Sequence, residues 1–183
     1  MLEVLVFLVG SIGLIYISRA SLRAPRSHGF YRFFAWECIL VLFLLNVDVW
    51  FHSPLAWYQL ISWLLLLLCL VPLLLGVRTL RARGRSTAQR IGEPQLLAFE
   101  KTSALVTSGI YHYIRHPLYS SLLLLTWGIF FKSLTWPGFM LAVAASLFLF
   151  ATGKADEAEC IRFFGEPYQD YMKHSKRFVP FLF

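Results

Sequence analysis

The chain reads as an all-α, polytopic membrane helical bundle with about five transmembrane helices, the last two forming a helical hairpin. Composition, apolar runs and the placement of basic residues predict this. Of 183 residues, 58% are hydrophobic and only 15% charged, too apolar for a soluble domain of ordinary composition. A hydrocarbon core about 30 Å thick needs roughly 20 apolar helical residues, and runs near that length recur along the sequence. Lipid cannot satisfy open backbone groups, so helices are expected to carry those runs.

Residues 2–18 form the first expected segment. Glu3 precedes its apolar run while Arg19, Arg23 and Arg26 follow it, the charge order of a retained anchor rather than a cleaved signal peptide. Residues 33–51 and 55–77 form the second and third. Glu37, Asn46 and Asp48 are costly inside lipid, and near the ends of their segment they read as packing or capping groups. Residues 118–136 form the fourth segment and 138–153 the fifth, with Trp136, Pro137 and Gly138 as the hinge between them.

Alternating sides then puts residues 19–32, 78–117 and 154–183 on one face, where they hold sixteen of the seventeen Lys and Arg residues; Lys132 alone is opposite. The positive-inside rule makes that face cytosolic, together with the long loop and the C-terminus. A last pair of segments that dips in and returns is the alternative, and it leaves the sides unchanged. The whole chain, 1–183, reads as one membrane domain, with a three-helix part over 1–77 and a core over 78–183.

The net charge of +7 does not indicate nucleic acid, because the basic residues lie in juxtamembrane loops with no aromatic platform or groove-reading motif. Anionic lipid headgroups are the expected partner, met chiefly by Arg78, Arg81, Arg83, Arg85 and Arg90. Cys38, Cys69 and Cys160 form no CxxC pair and read as reduced packing residues.

The loop over 78–117 is too long for a mere connector. Its second half, from Leu105 to Tyr119, crowds polar and hydrogen-bonding aromatic side chains at the mouth of the fourth segment. Pro117 suits a first helical position, so free amides and the positive helix end make a ready site for a carboxylate or phosphate. His112 and His116 stand four apart, but the residue before a proline is pushed out of helical geometry, and no metal site is assigned. There is no GxGxxG and no GxxxxGK[ST].

The stretch Asp156 to Tyr171 forms a second constellation. Residues 157, 161, 164, 168 and 171 follow helical spacing, with Gly165 and Pro167 expected to kink the path. Glu157 heads this apolar stripe, where a carboxylate is costly unless paired or used. A salt bridge to a loop arginine and a functional role both remain open for it. Glu159 and Arg162 fall on faces expected to be solvated.

The motifs LVTSGIY and RHPLY, followed by the Asp156-Glu157 pair, FGEPYQDY and RFVP, together resemble the isoprenylcysteine carboxyl methyltransferase family over about residues 100–183. Its superfamily includes membrane phospholipid N-methyltransferases and thiol methyltransferases. The resemblance implies an S-adenosylmethionine-dependent methyltransferase acting on a lipophilic substrate: an isoprenylcysteine carboxylate, or another lipid or thiol. It implies a cofactor pocket built by the loop, the start of the fourth segment and a C-terminal helix. Ser103, Ala104, Leu105, Val106, Tyr111, His116, Pro117, Leu118 and Tyr119 would line it, with Asp156 or Glu157 closing it. Glu157, His116 or Tyr119 would take a proton from an amine or thiol acceptor, and Arg115 or Lys154 would hold an anionic one. Ser121 stands where the family's HPxYxG pattern ends in glycine. Two rival readings are a sterol-type membrane reductase using NADPH and a noncatalytic membrane protein with a decayed pocket.

Overall fold

The computed structural model describes residues 2–84 and 104–180, which form seven α-helices and one 3-10 turn. Helix α1 spans Leu2–Leu22 and presents Val4, Leu5, Val9, Ile12 and Tyr16 outward, a face suited to lipid rather than water. It packs on α2, His28–Leu44, and across that contact the Ser11 hydroxyl donates to Glu37 Oε2 at 2.8 Å. Glu37 thus has the packing role expected of it. Ser27 caps α2 by accepting from the Phe30 amide at 3.2 Å, so the helix starts five residues before the expected segment. It also stops early, at Leu44. The Asn46 side chain donates to the Leu42 carbonyl at 2.8 Å, replacing the backbone bond that would have continued the helix.

Helices α3, Trp57–Leu68, and α4, Leu70–Arg83, make one crossing that breaks at Cys69. Pro72 has no N–H to donate to Leu68, and its ring opposes that carbonyl. Helix α5, Pro117–Phe130, leads through residues 131–135 into α6, Trp136–Phe164. The expected hinge at Trp136, Pro137 and Gly138 is therefore the first turn of α6. Thr135 caps it by accepting from the Gly138 amide at 3.2 Å, and proline is well suited to a helix start. Nor does α6 stop at 153. It continues to Phe164 and ends at Gly165, whose φ of 66° and ψ of −139° fall where a side chain is strained. Pro167 then lies in the first turn of α7, Glu166–His174, and starts that helix rather than kinking one.

Helix α2 packs along α6, and α3 and α4 pack against α5. Ala35, Ala142 and Ala145 are fully buried, small residues that let helices approach closely. The α3–α5 crossing is closer still: a Cβ on Gly128 would lie 2.9 Å from Leu66 Cδ2 and 3.2 Å from its backbone nitrogen. Ser62 donates to the Gly128 carbonyl at 2.7 Å. Lys132, the lone basic residue of its face, turns into the bundle. Its ammonium is 3.0 Å from Gln59 Oε1 and 3.2 Å from the centre of the Trp63 ring.

Among the described residues, three stretches are long and apolar enough to cross a membrane: α1, the α3–α4 pair and α6. Helix α2, with 17 residues, and α5, with 14, are shorter than the roughly 20 residues a perpendicular crossing needs. Five apolar segments are thus present as helices, and three of them have spanning length.

Candidate active site

The head of α5 is assembled by chain segments distant in sequence. A 3-10 turn, Gly109–His112, lies against Thr79 of α4, with Gly109 at φ +64°. Residues 113–116 then run alongside the C-terminal strap, 176–178. The amides of Arg115 and His116 donate to the carbonyls of Lys176 and Arg177 at 2.7 and 3.1 Å, and the Lys176 amide donates to Tyr113 O at 2.9 Å. Phe178 anchors the strap against Ala35, Tyr119 and Leu149. A Cβ on Gly153 would come within 2.8 Å of its ring.

Beside this junction opens a cavity that communicates with solvent. The loop contributes Ala104, Leu105, Val106, Tyr111 and Arg115; α5 and its cap contribute His116, Pro117, Leu118 and Tyr119; α6 contributes Asp156. Ser103, Arg85 and Arg90 lie outside the described residues. Lys154 is exposed, its ammonium 5.9 Å from the centre of the Phe150 ring, and is not among the lining residues. His112 is exposed and edge-on to Tyr113, whereas His116 is buried, so the two histidines do not converge.

The adjacent acids have different surroundings. Asp156 lines the cavity, accepting from the Tyr119 hydroxyl at 3.2 Å and standing 3.4 Å from His116 Nδ1. Glu157 is buried on the packing face, as its register requires, and both of its oxygens are taken. Arg115 Nε and Arg177 Nε donate to Oε1 at 2.9 and 3.0 Å, and Arg177 Nη2 donates to Oε2 at 2.6 Å. The salt bridge to a loop arginine that was left open for Glu157 is present, with Arg115. Arg115 also donates to the Met172 carbonyl at 3.3 Å and to that of Ser175, satisfying the last carbonyls of α7. Its guanidinium is thereby committed to internal partners.

His116 stacks on Tyr119 with ring centres 5.3 Å apart. Its Nε2 stands 3.5 Å from Glu157 Oε1, an ion pair when the ring is protonated. Burial opposes its charge, but the hydrogen bonds and fields of Asp156 and Glu157 outweigh that, and its pKa is raised above the ordinary 6.5.

Glu159 departs from expectation. It is not simply solvated: Oε1 accepts from the His28 amide at 2.9 Å and Oε2 meets His28 Nδ1 at 2.6 Å. The face that looked solvated along α6 is covered by the start of α2. His28, Leu80, Cys160, Phe164, Tyr168 and Tyr171 also line the cavity. The helical stripe in the sequence already contained residues 164, 168 and 171, whose rings face the cavity instead of serving only as packing. Nothing local marks His28, which meets a partner 131 residues away. Behind α5, a second and almost wholly apolar cavity lies among Leu68, Val71, Leu123, Leu124 and Phe178.

No curated protein and no solved structure matches the chain. Residues 84–166 match the model of the phospholipid methyltransferase family, a stretch running from the end of α4 through all of α6. The match falls within the superfamily that the motifs resemble, in its phospholipid branch. With its long apolar helices, the chain is an integral membrane protein, and its residues 84–166 are similar to the phospholipid methyltransferase family.

Proposed function

We propose that the protein is an S-adenosylmethionine-dependent methyltransferase whose acceptor is a lipophilic molecule drawn from the bilayer: a phospholipid headgroup, an isoprenylcysteine carboxylate or a lipophilic thiol. The observation that carries this reading is the cavity at the head of α5, where, among the described residues, one acid, two buried histidines and several aromatic rings converge. The chemistry fits each part of the cofactor. Tyr111, Phe164, Tyr168 and Tyr171 offer faces and edges for adenine. Asp156 offers a carboxylate for an ammonium or for ribose hydroxyls. The first amides of α5 have no intrahelical acceptor and suit a carboxylate.

When bound, the cofactor supplies an electrophilic methyl group on a sulfonium. The chain's own work is alignment and exclusion of water. Asp156 and Tyr119 form the polar wall, while Glu157 ties α6 to the head of α5 and to the strap, keeping that wall in place. The apolar cavity behind α5 suits the hydrocarbon of the acceptor.

Saturating S-adenosylhomocysteine is expected to raise the melting temperature of the detergent-solubilised protein, by about 2.7 kcal/mol of stabilisation at one hundred times its Kd. His116→Ala or Tyr119→Phe should weaken the effect. An unchanged melting curve, together with stabilisation by NADPH, would replace this reading with the reductase.

We further place the cavity on the cytosolic side, as the distribution of basic residues requires. In a background with the three native cysteines replaced, single cysteines at Ser108 and His174 should react with an impermeant thiol reagent from the cytosolic face, and one at Ser53 from the other. Labelling of 108 and 53 from the same side would overturn that orientation.

A further inference from the structure

His28 opens α2, and the carboxylate of Glu159 grips it twice, at its backbone amide and at ring Nδ1. The first amide of a helix has no intrahelical acceptor, and an anion is favoured at that end, so the grip suits both partners. A carboxylate on Nδ1 fixes the proton there when the ring is neutral, leaving Nε2 as the basic nitrogen. The His28 ring is 1% exposed to solvent and lies in the wall of the cavity shared with Asp156, Tyr119 and His116. A histidine oriented by a carboxylate at a reaction cavity is the arrangement that general-base catalysis requires.

We infer that His28 is the general base of methyl transfer, with Glu159 as its positioning residue, and that the acceptor is therefore a heteroatom carrying a proton, an amine or a thiol rather than a carboxylate. The inference rests on the proposed methyltransferase reading and adds the acceptor chemistry. The acceptor's N–H or S–H bond breaks and its proton passes to His28 Nε2. The electron pair so released forms the new bond to the methyl carbon as the carbon–sulfur bond of the sulfonium breaks, its pair remaining on sulfur. The imidazolium then gives its proton to solvent. The competing histidine, His116, suits this less, because acids face both of its ring nitrogens, Asp156 at Nδ1 and Glu157 at Nε2, whereas Glu159 meets His28 at Nδ1. Among the described residues, the other titratable groups around the cavity are Cys160 of α6, Tyr119 of α5, Tyr111 and Arg115 of the loop, and Tyr168 and Tyr171 of α7, with Arg32 one turn along α2 from His28.

The test combines ring-nitrogen NMR of the ligand-free protein with turnover. Labelled histidine gives five ring systems, and H28Q assigns the one in question. The neutral ring is expected to carry its proton on Nδ1, with E159Q lowering its pKa and loosening that preference. With phosphatidylethanolamine vesicles or decanethiol as acceptor, H28Q should lose about 10²–10⁴-fold in kcat, while S-adenosylhomocysteine still raises its melting temperature. E159Q should keep substantial turnover and move the acid limb of kcat/KM to lower pH, which a purely structural tie between α2 and α6 would not do. Unchanged turnover in H28Q, an unmoved acid limb in E159Q, or wild-type transfer only to a farnesylcysteine carboxylate overturns the inference while the methyltransferase reading stands. Wild-type protein that S-adenosylhomocysteine does not stabilise overturns both.

Discussion

Glu157→Gln is expected to destabilise the folded protein by about 3–5 kcal/mol, the usual cost of removing one partner from a buried ion pair. Here one carboxylate serves two guanidiniums, with side chains 6% exposed for Glu157, 8% for Arg115 and 20% for Arg177. The glutamine amide keeps one oxygen as an acceptor, but it would aim N–H donors at Arg177 Nη2, which now donates at 2.6 Å, and remove the charge that both guanidiniums face. Because Arg115 also holds the end of α7 and Arg177 belongs to the strap, the damage should extend beyond residue 157. The expected result is a lower melting temperature in detergent and faster hydrogen exchange at the strap amides of Arg115, His116 and Lys176. A variant that keeps the wild-type melting temperature yet loses methyl transfer would make Glu157 a group acting on cofactor or acceptor.

Asp156→Asn should show the opposite pattern. Its carboxylate is 24% exposed, faces the cavity, and has the Tyr119 hydroxyl as its nearest donor. Asparagine still accepts that bond, and the loss in the ligand-free protein is that of the charge beside His116, so its melting temperature should fall less than that of Glu157→Gln. Its negative charge is lost, however, and hydrogen bonds to charged groups are worth roughly 1.5–3 kcal/mol. The Kd for S-adenosylhomocysteine, measured from the concentration dependence of the melting shift, should rise about 10- to 100-fold. Unchanged affinity would remove Asp156 from the cofactor site. Two adjacent acids of one helix are therefore expected to separate stability from binding, which neither variant does alone.

Glu159, although on another face of α6, is no neutral control for either substitution, because its loss frees both the His28 ring and the first amide of α2. Arg162 is exposed and is the better place for a control change on this helix.

Much of this was legible in the sequence because it depends on local physics. Apolar runs too long for a soluble core define helices without reference to any neighbour. Pro117 marks the start of α5 and the Gly165-Glu166-Pro167 run the change from α6 to α7, because those residue types limit the backbone wherever they occur. The spacing of residues 157, 161, 164, 168 and 171 identified one face of the C-terminal helices, and RHPLY and the acidic pair identified the region of the cavity.

What depended on packing was not legible. Where α2 ends was decided by the Asn46 side chain taking the Leu42 carbonyl, and where α5 ends by a turn that directs Lys132 onto Gln59 and Trp63. Successive residues of a helix point about 100° apart, so the pair Asp156-Glu157 had to offer one acid to the cavity and one to the interior. The register of the apolar stripe already pointed Glu157 inward, and the tertiary structure supplied its partners, Arg115 from the loop and Arg177 from the strap. The solvated look of Glu159 was a property of α6 alone. Its burial against His28 arises because α2 lies along α6, and a contact across 131 residues leaves no periodic or compositional trace, since it is made by the tertiary arrangement and not by either segment.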